Sequence, residues 1–497
     1  MENQVSAPQN REKPKAHEEQ HEHEGREGRE GAVDAVVPGW RRRPVRVVLA
    51  ALAGCAVLGG ALLLWPGGER AAGPPAPAAG AQAQAAVLAG APAALPDLDV
   101  LIGERETYLR THPKDARSWA LLGAAYVERG RRTADAAGAF PKAERALRTS
   151  LSVRGRGNAE ALEGLAVLAN AREDFRAARG YAEDALRAQP KRWTAYGPLI
   201  DACTGLGDYK AAGRALDRLT ALHSGPAVRA RAAGVYRDRG WREDAAAALA
   251  DAAAAAQGPA ERAAYLERAG QLAFERGEPE AALRHFQEAV RLDPDQRAAQ
   301  AGQGRALAAL GRTSEALSAY RVALERQPLP QYALELGELY ESLGLTQAAR
   351  VQYELLRERV RRDAAGGVDG SLVLGRLEAG HGDPAEAVRL LRGAWQRRPG
   401  IEVADALGWA LHRAGQDAEA LRYAVIATDQ EHGGTVRSAP YAYHRGMIEK
   451  ALNKQGPARR RLQEALRINP YFSPLAVPEA RAALAALGEP PEVALPR

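Results

Sequence analysis

The chain has 497 residues, 26% of them charged and only 5% aromatic, with 5 Phe and 2 Cys. It is too long for one compact core, and so few cysteines exclude a disulfide-built fold. The net charge of +6 is spread through sequence of mixed sign, which excludes the concentrated basic footprint of a nucleic-acid binder.

Residues 1–40 are polar, rich in Glu, Gly and His, and carry no apolar periodicity. They are expected to be a disordered tail. Within them His17-Glu18-Glu19-Gln20-His21 matches the H-E-x-x-H spacing of a zinc-protease helix. That chemistry needs both histidines on a buried helix, a third ligand and a substrate cleft. A solvated acidic tail offers none of these, so no metal site is assigned; with His23 the segment is at most a loose chelator of zinc or nickel.

Residues 41–65 read as an arginine cluster followed by a transmembrane helix. Arg41, Arg42, Arg43 and Arg46 precede VVLAALAGCAVLGGALLLW, the uncharged run from Val47 to Trp65. As a helix those 19 residues span about 28 Å, the thickness of a bilayer core. The positive-inside rule puts the N-terminus in the cytoplasm and everything after the span outside it. Trp40 and Trp65 fall at the two interfaces. Ala51, Cys55 and Gly59 share one face at a spacing that lets helices pair in lipid, a route to a weak homodimer, although abundant Ala and Gly give the same pattern without pairing. An alternative uses Leu52-Ala53-Gly54-Cys55 as a lipoprotein-processing site with Cys55 lipidated; the uncharged residues that continue past Cys55 speak against it. Cleavage elsewhere in the segment is a third reading, and all three export the remainder. Residues 66–96, rich in Pro, Ala and Gly, are expected to form a flexible stalk.

Residues 97–487 carry an internal period. GQLAFERGEPEAALRHFQEAVRLDP from Gly270 and GRALAALGRTSEALSAYRVALERQP from Gly304 superimpose at a shift of 34 residues. Gly270 matches Gly304, Gly277 matches Gly311, Ala282 matches Ala316, Phe286 matches Tyr320, Ala289 matches Ala323 and Pro294 matches Pro328. A mid-helix glycine costs about 1 kcal/mol against alanine, so Gly270 and Gly304 require a close approach between helices. Ala282 with Ala289, and Ala316 with Ala323, share one face of the second helix, while Phe286 or Tyr320 fills the gap between units. Starts of the same kind recur near residues 116, 159, 193, 226, 263, 297, 330, 368, 401 and 439, which makes about ten units. The unit of Tyr236, Gly240 and Ala245 is degenerate, its second helix running into ADAAAAAQG. RRDAAGGVDG, before Ser371, reads as a surface loop. Pro478 to Leu487 reads as a terminal capping helix, and residues 488–497 as a disordered C-terminus.

This pattern of small residues, one aromatic and a closing proline resembles the tetratricopeptide repeat, a helix–turn–helix unit that stacks into a solenoid. The resemblance covers residues 116–470. Within it QPLPQYALELGELY, VADALGWALHRAGQDAEAL, YAYHRGM and NPYFSPL are similar to membrane-anchored repeat proteins of high-GC bacteria. The fold it implies is all-α: a right-handed superhelix of about ten helical hairpins, besides the single N-terminal transmembrane helix. The concave face, lined by the first helices, would hold a peptide or partner helix.

The letters carry no phosphate loop, dinucleotide fingerprint, nucleophile elbow or CxxC, so neither catalysis nor a cofactor is expected. Cys203 reads as a small buried apolar residue. Some repeat domains clamp a C-terminal carboxylate with Lys, Arg and Asn on successive first helices. The matching positions here are Glu163 and Val167, Gly197 and Asp201, then Ala230 and Gly234, which cannot form that clamp. The groove side of the later units offers Arg305, Glu338, Glu341, Arg376, Trp409, His412 and Arg413 as candidate partner contacts; packing of Trp409 between units is the competing reading. The expected function is a non-catalytic, membrane-anchored extracytoplasmic scaffold that binds protein. The alternatives are a lipoprotein acting in envelope polymer assembly or export, and a regulatory subunit of a membrane enzyme or metal transporter.

Overall fold

The computed structural model describes residues 78–429 and 435–488, all within a compact unit that spans Ala76–Arg497. The tail 1–40, the span 47–65 and the C-terminal residues 489–497 lie outside the described residues. Among the described residues no helix is long and apolar enough to cross a membrane.

Two helices, α1 (Ala79–Leu88) and α2 (Leu95–Thr111), precede ten hairpins. In order these are α3/α4 (Ala116–Thr133, Ala136–Val153), α5/α6 (Ala159–Ala171, Phe175–Ala188), α7/α8 (Tyr196–Gly205, Tyr209–Leu222) and α9/α10 (Pro226–Asp238, Arg242–Ala255). Next come α11/α12 (Pro259–Glu275, Pro279–Leu292), α13/α14 (Arg297–Ala309, Thr313–Arg326) and α15/α16 (Pro330–Ser342, Thr346–Ala364). The last three are α17/α18 (Ser371–His381, Pro384–Arg397), α19/α20 (Ile401–Arg413, Asp417–Thr428) and α21/α22 (Ala439–Ala451, Gln455–Ile468), closed by α23 (Ala476–Ala486). The described residues hold no strand.

The sequence sets these boundaries locally. Side chains of Asp115, Asn158, Asp174 and Asp208 accept from backbone N–H groups in the first turns of α3, α5, α6 and α8. Pro226, Pro259 and Pro330 occupy first-turn positions, where a missing N–H costs nothing. Gly277 turns α11 into α12 at φ 80°, a left-handed conformation closed to most side chains.

The close approach required of the helical glycines is visible at Phe286. Its ring lies between α11 and α13, where a Cβ added to Gly270 would come within 2.6 Å of it and one added to Gly302 within 2.5 Å. Tyr320 bears on Gly304 in the same way, at 2.6 Å. Ala282, Ala289, Ala316 and Ala323 are fully buried beside these rings. In other units a leucine takes this place, Leu147 against Gly123 and Gly164 and Leu391 against Gly375, and the core runs along the stack as a series of small clusters.

Three segments differ from the sequence expectation. Residues 79–88, inside the expected stalk, form α1, with Ala83 buried against the following helices; an alanine-rich stretch pays little to become helical once it has a face to cover. The alanine run after Asp244 is likewise the helix α10, burying Ala245, Leu249 and Ala252. RRDAAGGVDG ends α16 and then packs inward: Arg172 Nε donates to Gly366 O at 2.7 Å, and Asp369 N–H to Arg172 O at 3.1 Å.

That last contact belongs to a seam. The solenoid coils back on itself, so hairpin turns of the early units meet the inter-unit turns of later ones. Arg132 pairs with Asp293, Gln327 donates to Arg131 O at 2.9 Å, and Arg359 to Ala134 O at 2.8 Å. Farther along, Arg398 pairs with Glu173, the Ile401 N–H donates to Tyr209 Oη, and Asn469 donates to Phe274 O at 2.7 Å. These partners stand 161 to 225 residues apart. The two longest second helices, α4 with 18 residues and α16 with 19, touch across the seam.

Candidate binding hollow

Coiling leaves the first helices facing an interior hollow of about 880 Å³. Its wall comes from α1, α3, α5, α7, α9 and α11 on the first turn of the coil, and from α17, α19 and α21 on the second. A neighbouring recess shares Leu88, Arg117, Arg192 and Thr194 with it, forming a rim around Lys191 and Trp193.

The wall is polar and mostly self-paired. Arg192 donates to Glu163, which also accepts from Thr194 Oγ1 at 2.9 Å. Arg231 on α9 pairs with Asp201 on α7. Arg237 forks onto Glu275 with contacts of 2.7 and 2.8 Å, joining α9 to α11. Burial pushes the Glu163 carboxyl up against the pull of Arg192, whereas at Glu275 the Arg237 fork outweighs burial and holds it down. Asp238 is pushed up to about 6, mainly by burial, with Glu402 and Glu275 adding to it against the charge of Arg237.

Four charged side chains that line the hollow, Arg117, Glu267, Arg268 and Glu402, make no side-chain hydrogen bond or salt bridge. Burial raises Glu267 above the usual carboxylate value; burial and the nearby charge of Arg231 lower Arg268. Glu267 and Arg268 act on each other through charge without a direct contact, in a space of ligand size. The wall carries both signs of charge. Among the described residues no group of His, Cys, Asp and Glu is placed to hold a metal.

The seven residues singled out from sequence fall elsewhere, six of them in three groups at joints between units and Arg376 apart from these, and none lines the hollow. Arg305 donates to both oxygens of Glu335 at 2.9 and 3.0 Å and also reaches Gln271. Glu338 and Glu341 flank His381 at 3.5 and 2.9 Å, linking α15 to α17. Arg376 is half-buried on α17. Trp409 stacks on His444 at 4.4 Å between ring centroids, touches Tyr443 and His412, and has Arg413 over its face at 6.0 Å. His412 is held by Asp417 at 2.5 Å. Trp409 therefore packs at the joint between α19 and α21.

Arg231 and Arg268 lie off the clamp positions of the repeat and carry no mark in the sequence. Arg231 sits one residue beyond Ala230, a position the template does not single out. The side chains that face the hollow from the second turn, such as Glu402, depend on the coiling and have no local signal.

A family model described as tetratricopeptide repeat matches residues 171–227, 268–329 and 302–359. Solved structures similar to the chain include the human IFIT1 dimer with PPP-AAAA, at 16% identity and a TM-score of 0.43, covering 65% of this chain and 76% of that one. A tetratricopeptide repeat protein from Parabacteroides merdae has 16% identity and a TM-score of 0.32, over 53% of this chain and 99% of its own. Pseudomonas aeruginosa pilF has 20% identity and a TM-score of 0.34, over 46% and 99%. Among curated proteins none matches.

Proposed function

We propose, from the premise that this chain is a tetratricopeptide-repeat protein, that it is a non-catalytic scaffold. Residues 47–65 anchor it in the cell membrane, and the repeats capture a protein partner outside the cytoplasm. The observation that carries the binding role is the hollow: a polar wall built from the first helices of eight units, with Glu267, Arg268 and Glu402 in no salt bridge. A volume of about 880 Å³ suits a short extended segment rather than a folded domain. The anchoring rests on the uncharged run Val47–Trp65 and the four arginines before it.

One experiment addresses both parts. Intact spheroplasts expressing the full chain are treated with a membrane-impermeant crosslinker and then with protease. The reading expects a protein adduct on the repeats, and digestion of the repeats while the N-terminal tail is spared. Repeats that resist protease until the cells are lysed would overturn the orientation; absence of any protein adduct would overturn the scaffold role.

A further inference from the structure

We propose that a second copy of this chain docks on the open edge of the coil, so that copies stack head to tail along the coil axis and continue the seam from one chain to the next. This goes beyond the scaffold reading and does not depend on what the hollow holds.

Units 1 to 10 run from α3/α4 to α21/α22, and the seam covers hairpin turns in the first half only. A Cβ added to Gly207, Gly240 or Gly277, in the turns of units 3, 4 and 5, would come within 2.6, 2.5 and 3.0 Å of Pro399, Thr435 and Pro470. Gly311, Gly344 and Gly415 hold the same left-handed place in units 6, 7 and 9, at φ 73°, 75° and 74°. All three are exposed, and among the described residues no other part of the chain comes within 4 Å of a Cβ built on them. Leu343 and Leu345, 41% and 48% exposed, flank Gly344 in this open edge.

The opposite edge carries the groups that the seam uses to fill such turns. In the seam Gln327 and Asn469, each the residue before a proline at the end of a second helix, donate to Arg131 O and Phe274 O at 2.9 and 2.7 Å. Both acceptors lie three residues before the left-handed residue of their turn, Ala134 or Gly277, and both belong to the unit five places earlier. The corresponding carbonyls in the open turns, those of Ala308, Glu341 and His412, accept the N–H of their own turn glycine at 3.1, 2.9 and 2.9 Å and keep a second lone pair for a further donor. Gln189, before Pro190 at the end of α6, repeats the Gln327–Pro328 arrangement, half-exposed and with no hydrogen bond to its side chain. Apolar residues follow the same rule. Val153, Leu222, Leu292 and Ile468 end α4, α8, α12 and α22. Leu292 and Ile468, in the seam, are half-buried, whereas Val153 and Leu222 are 39% and 40% exposed. Each open edge thus lacks what the other supplies, which selects a second copy over an unrelated partner. Since the two edges differ, the contact is heterologous, and because it advances along the coil axis it does not close into a ring.

The test is sedimentation velocity of the full chain in detergent over a hundredfold range of concentration, with Leu345→Asp blocking the open turns and Leu222→Asp blocking the opposite edge. The wild type should pass through dimers to a rising series of larger species. Each variant alone should associate at least tenfold more weakly, at an unchanged melting temperature because both side chains are exposed. Mixed one to one, the variants should form dimers and nothing larger, since each still offers the edge that the other lacks. Leu343→Asp with Val153→Asp repeats the comparison should either first variant melt early. A wild type that stays monomeric or stops at dimers would overturn the proposal. So would association unchanged by either substitution, as pairing through residues 47–65 would give, or a mixture that assembles no better than its components.

Discussion

Arg132 and Asp293 stand 161 residues apart in sequence and meet at 2.5 Å, with side chains only 9% and 8% exposed. The pair joins the turn after the first helix of unit 1 to the turn that closes unit 5, and so ties one turn of the coil to the next. Removing one partner leaves the other charged and buried. Asp293→Ala should therefore destabilise the chain by about 3–5 kcal/mol in urea unfolding, whereas Arg132→Met with Asp293→Leu should cost much less. Small-angle scattering should show the single variant expanded. Equal stability of Asp293→Ala and the wild type would mean the seam contributes no closure.

Within a unit the limit is volume rather than charge. Phe286 already fills the space between Gly270 and Gly302, so Gly302→Ala should overpack the ring and cost about 1–3 kcal/mol. Combining it with Phe286→Leu should recover part of that loss, since the smaller side chain makes room for the methyl. Thermal unfolding of the two variants checks both signs.

His381 gives the fold a pH dependence. Burial pulls its pKa down, but Glu338 and Glu341, through hydrogen bonds and charge, outweigh it and raise the value above the ordinary 6.5. A raised folded value means that this stabilisation is fully present below about pH 6.5 and is lost as pH rises through the folded pKa. Melting temperatures measured from pH 5 to 8 should fall more steeply for the wild type than for His381→Gln.

Asp238 works in the same direction, with its carboxyl pushed up to about 6. Its ionisation is disfavoured in the folded chain, so stability declines as pH rises from about 4 towards 6. Asp238→Asn should raise stability at pH 7 by an amount of order 1–3 kcal/mol, with little effect at pH 4. A lower melting temperature at pH 7 would show that pairing with Arg237 outweighs burial.

The hairpins were legible because their determinants are local. Ala116, Ala159, Pro226, Arg297, Pro330, Ile401 and Ala439 begin first helices at the positions that the period marks. Gly270, Phe286 and Ala289 announce packing that repeats with each unit. The seam was not legible. Its register accumulates from small rotations over several units, and many of its acceptors are backbone carbonyls, those of Arg131, Ala134, Gly366 and Phe274, which leave no mark on residue type. The hollow inherits that invisibility, since Glu402 and Arg268 share it only after coiling. Trp409 shows the opposite ambiguity: a groove anchor and a joint between units want the same residue, and the structure packs it against His444 and Tyr443. Trp409→Ala should accordingly lower the melting temperature.

The central claim, that the interior of the coil is where a protein partner is held, is tested most directly by site-specific photocrosslinking in cells. Benzoylphenylalanine placed at Glu402, exposed within the hollow, is compared with the same probe at Val351, which is 63% exposed on the second helix α16. The account predicts a discrete protein adduct from position 402 and none from position 351. An adduct from position 351 with none from position 402 would contradict it and place the binding surface on the outside of the coil.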